Sequence, residues 1–116
     1  FIQDMTAAYN RADLVVSRAG ATTIFELAAL GKPSILIPYP YATNQHQMIN
    51  ARSLARVGGA EVILQSDLNT ETLARILIKY MDDPLALKKM STHTKKLAHP
   101  NAAMTIVDHL LEMIKQ

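Results

Sequence analysis

The sequence predicts an α/β fold with a parallel sheet, and three observations carry that prediction. Short apolar runs alternate with stripes of helical period. The runs are rich in β-branched residues, as strands buried on both faces are. Gly or Pro stands at the junctions between runs and stripes. Strand, helix, strand, helix, strand in that order means βαβ units joined by right-handed crossovers.

Each element has its own signal. Met5, Ala8, Tyr9 and Ala12 follow the spacing of one helix face. Asp13 leads into a first strand, Leu14-Val15-Val16. Ile24, Leu27 and Ala28 restart the helical period, and Gly31 with Pro33 stops it. Ser34 to Pro38 reads as a second buried strand. A loop rich in Tyr, Pro, Thr and Asn follows, then a helix carrying Ile49, Leu54, Ala55 and Val57, closed by Gly58-Gly59. Glu61 to Leu64 is the third strand. Leu73, Ile76, Leu77, Tyr80 and Met81 then form one helical stripe, and Val107, Leu110, Leu111 and Ile114 another. Pro84 and Pro100 stand where helices begin or break. Three strands are few for a sheet covered on both faces. Further strands are therefore expected on the N-terminal side, and the start at Phe1, almost directly on a helical pattern, reads as a cut from a longer polypeptide.

Composition narrows the function classes. The 116 residues suit one domain, and 49% of them are apolar, enough for a core. Charged residues of both signs make up 19%, which argues against disorder. A net charge of +2 is too small to argue for nucleic acid as a partner. Without cysteine there is no disulfide framework and no thiolate chemistry, which suits a reducing compartment. No apolar run approaches the length of a membrane span, and the first residues lack the basic start of a signal peptide.

In open α/β sheets ligands gather at the carboxyl ends of the strands, and Ser17 to Glu26 crosses that edge. Gly20 is expected to take unusual dihedrals and let a ligand approach the backbone closely, with the small Ala19 and Ala21 keeping the way open. Thr22 and Thr23 offer hydroxyls and unpaired N–H groups at a helix start, where the dipole favours an anion. Glu26, one turn on, suits paired hydroxyls such as those of a ribose. Thr23-x-x-Glu26 also has the spacing of a capping box, and spacing alone favours that cap. The turn is neither a dinucleotide fingerprint nor a Walker loop. By itself it supports an anion or nucleotide at a helix N-terminus.

The loop from Pro38 to Gln47 leaves at the same edge with Tyr39, Tyr41, Thr43, Asn44, Gln45, His46 and Gln47. Amides and hydroxyls both donate and accept, as a sugar ring requires. Equally, Thr43 or Asn44 would cap the next helix, and the tyrosines would pack beneath the loop. His46 has no neighbouring carboxylate to make it a base. His93, His99 and His109 are isolated, lack metal-ligand spacing and are expected in solvent. No activated nucleophile and no Asp-x-Asp is present. Lys88, Lys89, Lys95 and Lys96 lie in a stretch with no acidic residue, and the wet side of a surface helix accounts for them better than a lipid contact does.

Taken together, these motifs resemble the bacterial lipid-linked N-acetylglucosamine transferases of peptidoglycan synthesis, the MurG family. The resemblance runs through Phe1-Ile2-x-Asp4-Met5, Asp13-Leu14-Val15-Val16-Ser17-Arg18-Ala19-Gly20-Ala21 and Thr23-x-x-Glu26-Leu27. It continues through Gly31-Lys32-Pro33, Pro38-Tyr39-Pro40, Asn44-x-His46-Gln47 and Asn50-Ala51. It implies a GT-B glycosyltransferase of two Rossmann-like domains, with residues 1–116 as the C-terminal portion of the donor-sugar domain and an N-terminal acceptor domain outside this chain.

The implied reaction is inverting transfer of GlcNAc from UDP-GlcNAc to undecaprenyl-diphosphate-linked muramyl-pentapeptide. It needs no tightly bound cofactor and takes place at the cytoplasmic face of the inner membrane, as a peripheral contact. By the same resemblance Ile2 meets the uracil through its backbone, with Phe1 and Met5 lining the base pocket. Ala21, Thr22 and Thr23 cradle the diphosphate, with Gly20 beside them in the substrate site; Glu26 binds the ribose, and His46 and Gln47 contact the GlcNAc. The resemblance turns Glu26 from a cap into a ligand. No catalytic base falls within this chain, so alone it is expected to be inactive. Alternatives are another GT-B glycolipid transferase with a Gly-x-x-Thr-x-x-Glu turn, or a non-catalytic UDP-sugar-binding subunit that needs a membrane partner.

Overall fold

The computed structural model describes residues 13–41 and 45–98, together with Leu111, Glu112 and Ile114. The expected first helix, with Met5, Ala8, Tyr9 and Ala12, lies outside the described residues, as do Pro100, Val107 and Leu110. Leu111 and Ile114 are helical and exposed.

The described elements are β1 (Val15–Ser17), α1 (Ala21–Leu30), β2 (Ser34–Leu36), α2 (Gln45–Arg56) and β3 (Ala60–Val62). A tight turn over Gln65–Asp67 leads to α3 (Thr70–Met81) and α4 (Pro84–Thr94), and a second tight turn covers Lys95–Ala98. The strands form the expected parallel sheet in the order β1-β2-β3, with Val15 opposite Ser34 and Ser34 opposite Ala60. β1 is as long as its apolar run but shifted one residue later, β2 shares its start with the run and ends two residues sooner, and β3 begins one residue before its run and ends two sooner. The run follows burial, whereas the strand follows the hydrogen-bond ladder. Ile37 and Ile63, for example, are buried although they lie just beyond their strands.

Side chains alternate across β2, and the alternation divides the core in two. Leu36 faces α1 and α2, in a cluster with Val15, Ala19, Ile24, Leu27, Ala51 and Leu54. Ile35 and Ile37 point to the other face with Ile63, where Leu73, Ile76 and Leu77 of α3 close over them. Among the described residues, both faces of the three-stranded sheet are covered. Leu27, Ile35, Leu36 and Leu54 are all fully buried, and each such side chain contributes about 1.5–3 kcal/mol relative to exposure.

Two helical stripes differ from expectation. On α2 the inward positions are Asn50, Ala51 and Leu54, one turn apart, while Ile49 is rotated out and 50% exposed. A buried polar residue holds the inward place beside Ile49. On α3 the inward place near the C-terminus goes to Tyr80, and Met81 is exposed. The Tyr80 hydroxyl donates to the Glu61 carboxylate on β3, and Lys79 reaches the same carboxylate at 3.6 Å. Burial first, then the hydrogen bond to Glu61 and its charge, push the Tyr80 hydroxyl well above the usual tyrosine range.

At the amino edge of the sheet α4 fastens both helix-to-strand turns. Gly31 closes α1 with φ 65°, and Gly58 lies beyond α2 with φ 87°. Ser91 donates to the Gly31 carbonyl at 2.6 Å. The fully buried Thr94 hydroxyl lies 2.7 Å from the Met90 carbonyl and 3.2 Å from that of Gly59. Pro84 starts α4 as predicted, behind an Asp83 cap that accepts from the Ala86 N–H at 3.1 Å. His93 is half-buried and its ring is the nearest neighbour to the site of a Gly58 side chain, so it is not the solvated histidine expected. Lys88, Lys89, Lys95 and Lys96 are exposed, as a surface helix and turn require.

Candidate nucleotide-binding site

The turn from β1 into α1 stands at the carboxyl edge of the sheet. The Ile37 N–H donates to the Ser17 carbonyl at 2.9 Å, so the loops after β1 and β2 leave the ladder side by side. Helix α1 begins at Ala21, with Gly20 as its cap residue and no side chain capping it. The first helical hydrogen bond runs from the Ile24 N–H to the Gly20 carbonyl at 3.0 Å. The N–H groups of Ala21, Thr22 and Thr23 precede that bond and have no acceptor within the helix.

This start position rules out the capping box. Thr23 is the third residue of the helix, not its cap, so Thr23 and Glu26 cannot exchange bonds across the first turn. Elsewhere the protein does cap its helices: Asn69 accepts from the Thr72 N–H at 2.8 Å at the head of α3, and Asp83 serves α4. Helix α1 has neither a cap nor an acidic residue in its first turn. Its positive end is therefore uncompensated by the described residues, a setting that favours an anion by roughly 0.3–1 kcal/mol when exposed and more when partly buried.

Gly20 also departs from expectation. Its dihedrals, φ −63° and ψ 153°, are open to any residue, so conformation does not demand glycine. What glycine leaves is room, since a Cβ built there meets nothing within 4 Å. Thr22 is exposed, Thr23 and Glu26 are partly exposed, and all three share one side of α1 by their spacing. Among the described residues the Glu26 carboxylate has no hydrogen bond or ion pair. Backbone donors, two hydroxyls and a carboxylate with no partner among the described residues therefore stand within two turns of helix.

Helix α2 holds this turn from behind. Gln47 Oε1 accepts from the Tyr39 N–H at 2.8 Å and from the Ala19 N–H at 3.3 Å, tying the two loops together. One turn further, the buried Asn50 Nδ2 donates to the Ala19 carbonyl at 3.0 Å. Arg18 Nη1 donates to the Ile37 carbonyl at 3.3 Å, and its guanidinium stands 5.5 Å from the centre of the Tyr39 ring. Tyr39 and Tyr41 contact each other, centroids 4.8 Å apart, and are exposed rather than packed beneath the loop.

Gly20, Ala21, Thr22, Thr23, Glu26 and Gln47 are thus brought to one edge. His46 is on the first turn of α2 and half-buried. Ile2, Met5 and Phe1, together with Thr43 and Asn44, lie outside the described residues. Asn50 and Arg18 received no role from sequence reasoning. The available signal was the spacing of Gln47 and Asn50, two amides on the inward side of a helix that also buries Ala51 and Leu54.

A cleft lined by Asp13, Pro33, Tyr80 and Leu87 lies at the opposite, amino edge, away from this turn. No group of three His, Cys, Asp or Glu suited to a metal ion occurs among the described residues. No helix among them is long and apolar enough to cross a membrane.

Comparisons with known proteins identify the family. Over 116 residues the chain is 46% identical to a Bacillus cereus protein named UDP-N-acetylglucosamine–N-acetylmuramyl-(pentapeptide) pyrophosphoryl-undecaprenol N-acetylglucosamine transferase 1, covering 100% of this chain and 32% of that one. A Geobacter sulfurreducens transferase of the same name, without the numeral, is 47% identical over 111 residues, 96% of this chain and 30% of its own. The chain therefore spans about a third of the length of these relatives. The crystal structure of Acinetobacter baumannii MurG superposes on 97% of the chain and 33% of its own length, with a TM-score of 0.78 and 37% identity. The Glycosyltransferase family 28 C-terminal domain matches residues 1–106, and the chain belongs to that family.

Proposed function

We propose that residues 1–116 form the C-terminal portion of the donor-sugar domain of an inverting glycosyltransferase. The full protein transfers GlcNAc from UDP-GlcNAc to a muramyl-pentapeptide on undecaprenyl diphosphate, at the cytoplasmic face of the inner membrane. The observation that carries this reading is the uncapped start of α1, where three N–H groups and, on one side, Thr22, Thr23 and Glu26 have no partner among the described residues. The names of the relatives supply the sugar nucleotide and the acceptor.

The proposed roles follow from charge and hydrogen-bonding capacity. The N–H groups and hydroxyls at Ala21, Thr22 and Thr23 hold the diphosphate, and Glu26 accepts from the ribose hydroxyls. His46 and Gln47 face the GlcNAc, and Ile2 and Met5 contribute to the uracil pocket. When the acceptor hydroxyl attacks the anomeric carbon, the bond from that carbon to the diphosphate breaks and UDP departs with growing negative charge. Fixed backbone donors at the start of α1 stabilise that charge without reorganising. The proton leaves to a base supplied by the rest of the protein.

Titrating UDP-GlcNAc, UDP-glucose and ADP-glucose into the full-length protein and its Glu26→Ala variant tests this. UDP-GlcNAc is expected to bind tightest, and the variant to lose at least tenfold. Tighter binding of ADP-glucose would overturn the assignment, and equal affinity of variant and parent would remove Glu26 from the ribose.

A further inference from the structure

The peptide group on each side of Ala19 is held by a side chain from another element. Gln47 accepts from the Ala19 N–H and Asn50 donates to the Ala19 carbonyl, so two amides one turn apart on α2 grip a single residue of the β1–α1 turn. That carbonyl belongs to the peptide whose N–H is Gly20's, and Gly20 is the cap of α1. The plane of this peptide sets the direction in which the chain enters the helix, and with it the aim of the Ala21, Thr22 and Thr23 N–H groups.

Asn50 is 5% exposed and Ala19 is fully buried, so neither partner can turn to water if the bond is lost. A polar residue at an inward helix position costs desolvation, and the Ala19 carbonyl is the partner that compensates it. Gln47 adds the Tyr39 N–H to the same oxygen, which sets the distance between the two loops.

We propose that Asn50 and Gln47 are positioning residues that aim the backbone donors of the α1 start at the diphosphate. This deepens the functional reading given above and rests on it. Because Gln47 spends its oxygen on the two N–H groups, only its Nε2 remains to face a ligand. UDP carries no GlcNAc, so any effect of Gln47 on UDP binding passes through the backbone and not through the sugar.

The test compares UDP with uridine in the full-length protein and in its Asn50→Ala and Gln47→Ala variants. Uridine lacks the diphosphate and reads only the base and ribose contacts. Both variants are expected to bind UDP about tenfold more weakly, the loss of one to two net hydrogen bonds, with uridine affinity unchanged. A purely structural role lowers both affinities by the same factor, and that result, or no change in either, would overturn the proposal. If Asn50→Ala does not fold, Gln47→Ala decides alone, since Gln47 is partly exposed and lies outside the core clusters. A parent protein that binds UDP no better than uridine would instead refute the diphosphate site itself, and this inference with it.

Discussion

Two glycines in this protein are glycine for different reasons, and replacing each by alanine separates room from conformation. At Gly20 the backbone is ordinary, φ −63° and ψ 153°, and a Cβ meets nothing within 4 Å. Alanine is a poorer cap residue than glycine, by roughly 0.5–1 kcal/mol. Against this, it removes freedom from the unfolded chain, contributing about 0.4–1 kcal/mol of stability. The two nearly cancel, so Gly20→Ala is expected to leave stability within about 0.5 kcal/mol of the parent. The same methyl stands where the diphosphate is proposed to lie, so UDP affinity should fall at least tenfold.

Gly31→Ala is the contrasting case. There φ is 65°, and the Cβ would come within 2.4 Å of Lys95 Cε and 2.8 Å of its Cγ. The left-handed conformation alone costs about 1–2 kcal/mol, and the lysine must move as well. Its position at the amino edge predicts unchanged UDP affinity in the folded protein. Urea unfolding and UDP titration of both variants make the comparison. A Gly20→Ala protein that is strongly destabilised, or that binds UDP normally, would refute the view that Gly20 provides space for a ligand.

Other predictions concern the contacts that hold the scaffold. Replacing Tyr80 by Phe removes the hydrogen bond to Glu61 and should cost about 1–2 kcal/mol in urea unfolding. Because the Tyr80 hydroxyl titrates higher in the folded state than the ordinary value of 10.0, its contribution is complete below about pH 10 and declines as pH rises beyond it. Tyr80→Phe should lessen that alkaline decline, and an unchanged pH profile would count against the Glu61 contact. Thr94→Val puts a methyl where the hydroxyl meets the Met90 and Gly59 carbonyls, and should lower stability by about 1–2 kcal/mol with little change in nucleotide affinity. Gly59→Ala should be worse than Thr94→Val, because its Cβ would lie 3.0 Å from the Thr94 Cα, which is backbone and does not yield readily.

The sheet and its helices were legible in the sequence because burial has a period. The runs at Val15, Ile35 and Val62 marked three strands, and Gly31 and Pro84 marked helix boundaries that the structure keeps. What periodicity could not supply was polar logic. Ile49 belongs to the apolar residues that mark this helix, yet it is exposed, and the neighbouring inward place is held by Asn50, whose amide donates to the Ala19 carbonyl. The capping box failed for a related reason. Thr23-x-x-Glu26 fits the pattern, but the helix starts two residues before Thr23, a fact set by where the chain leaves β1 and not by the four-residue motif. The same shift leaves the first N–H groups of α1 uncapped. The position of the turn at the carboxyl edge followed from topology alone, whereas its grip by Gln47 and Asn50 joins residues about 30 positions apart, beyond the reach of any local pattern.

Whether the start of α1 holds the diphosphate of a uridine nucleotide can be seen in a crystal structure of the full-length protein with UDP. Phosphate oxygens are expected within hydrogen-bonding distance of the Ala21, Thr22 or Thr23 N–H groups, with the ribose hydroxyls on Glu26. A diphosphate bound elsewhere, with the start of α1 facing only solvent, would contradict it.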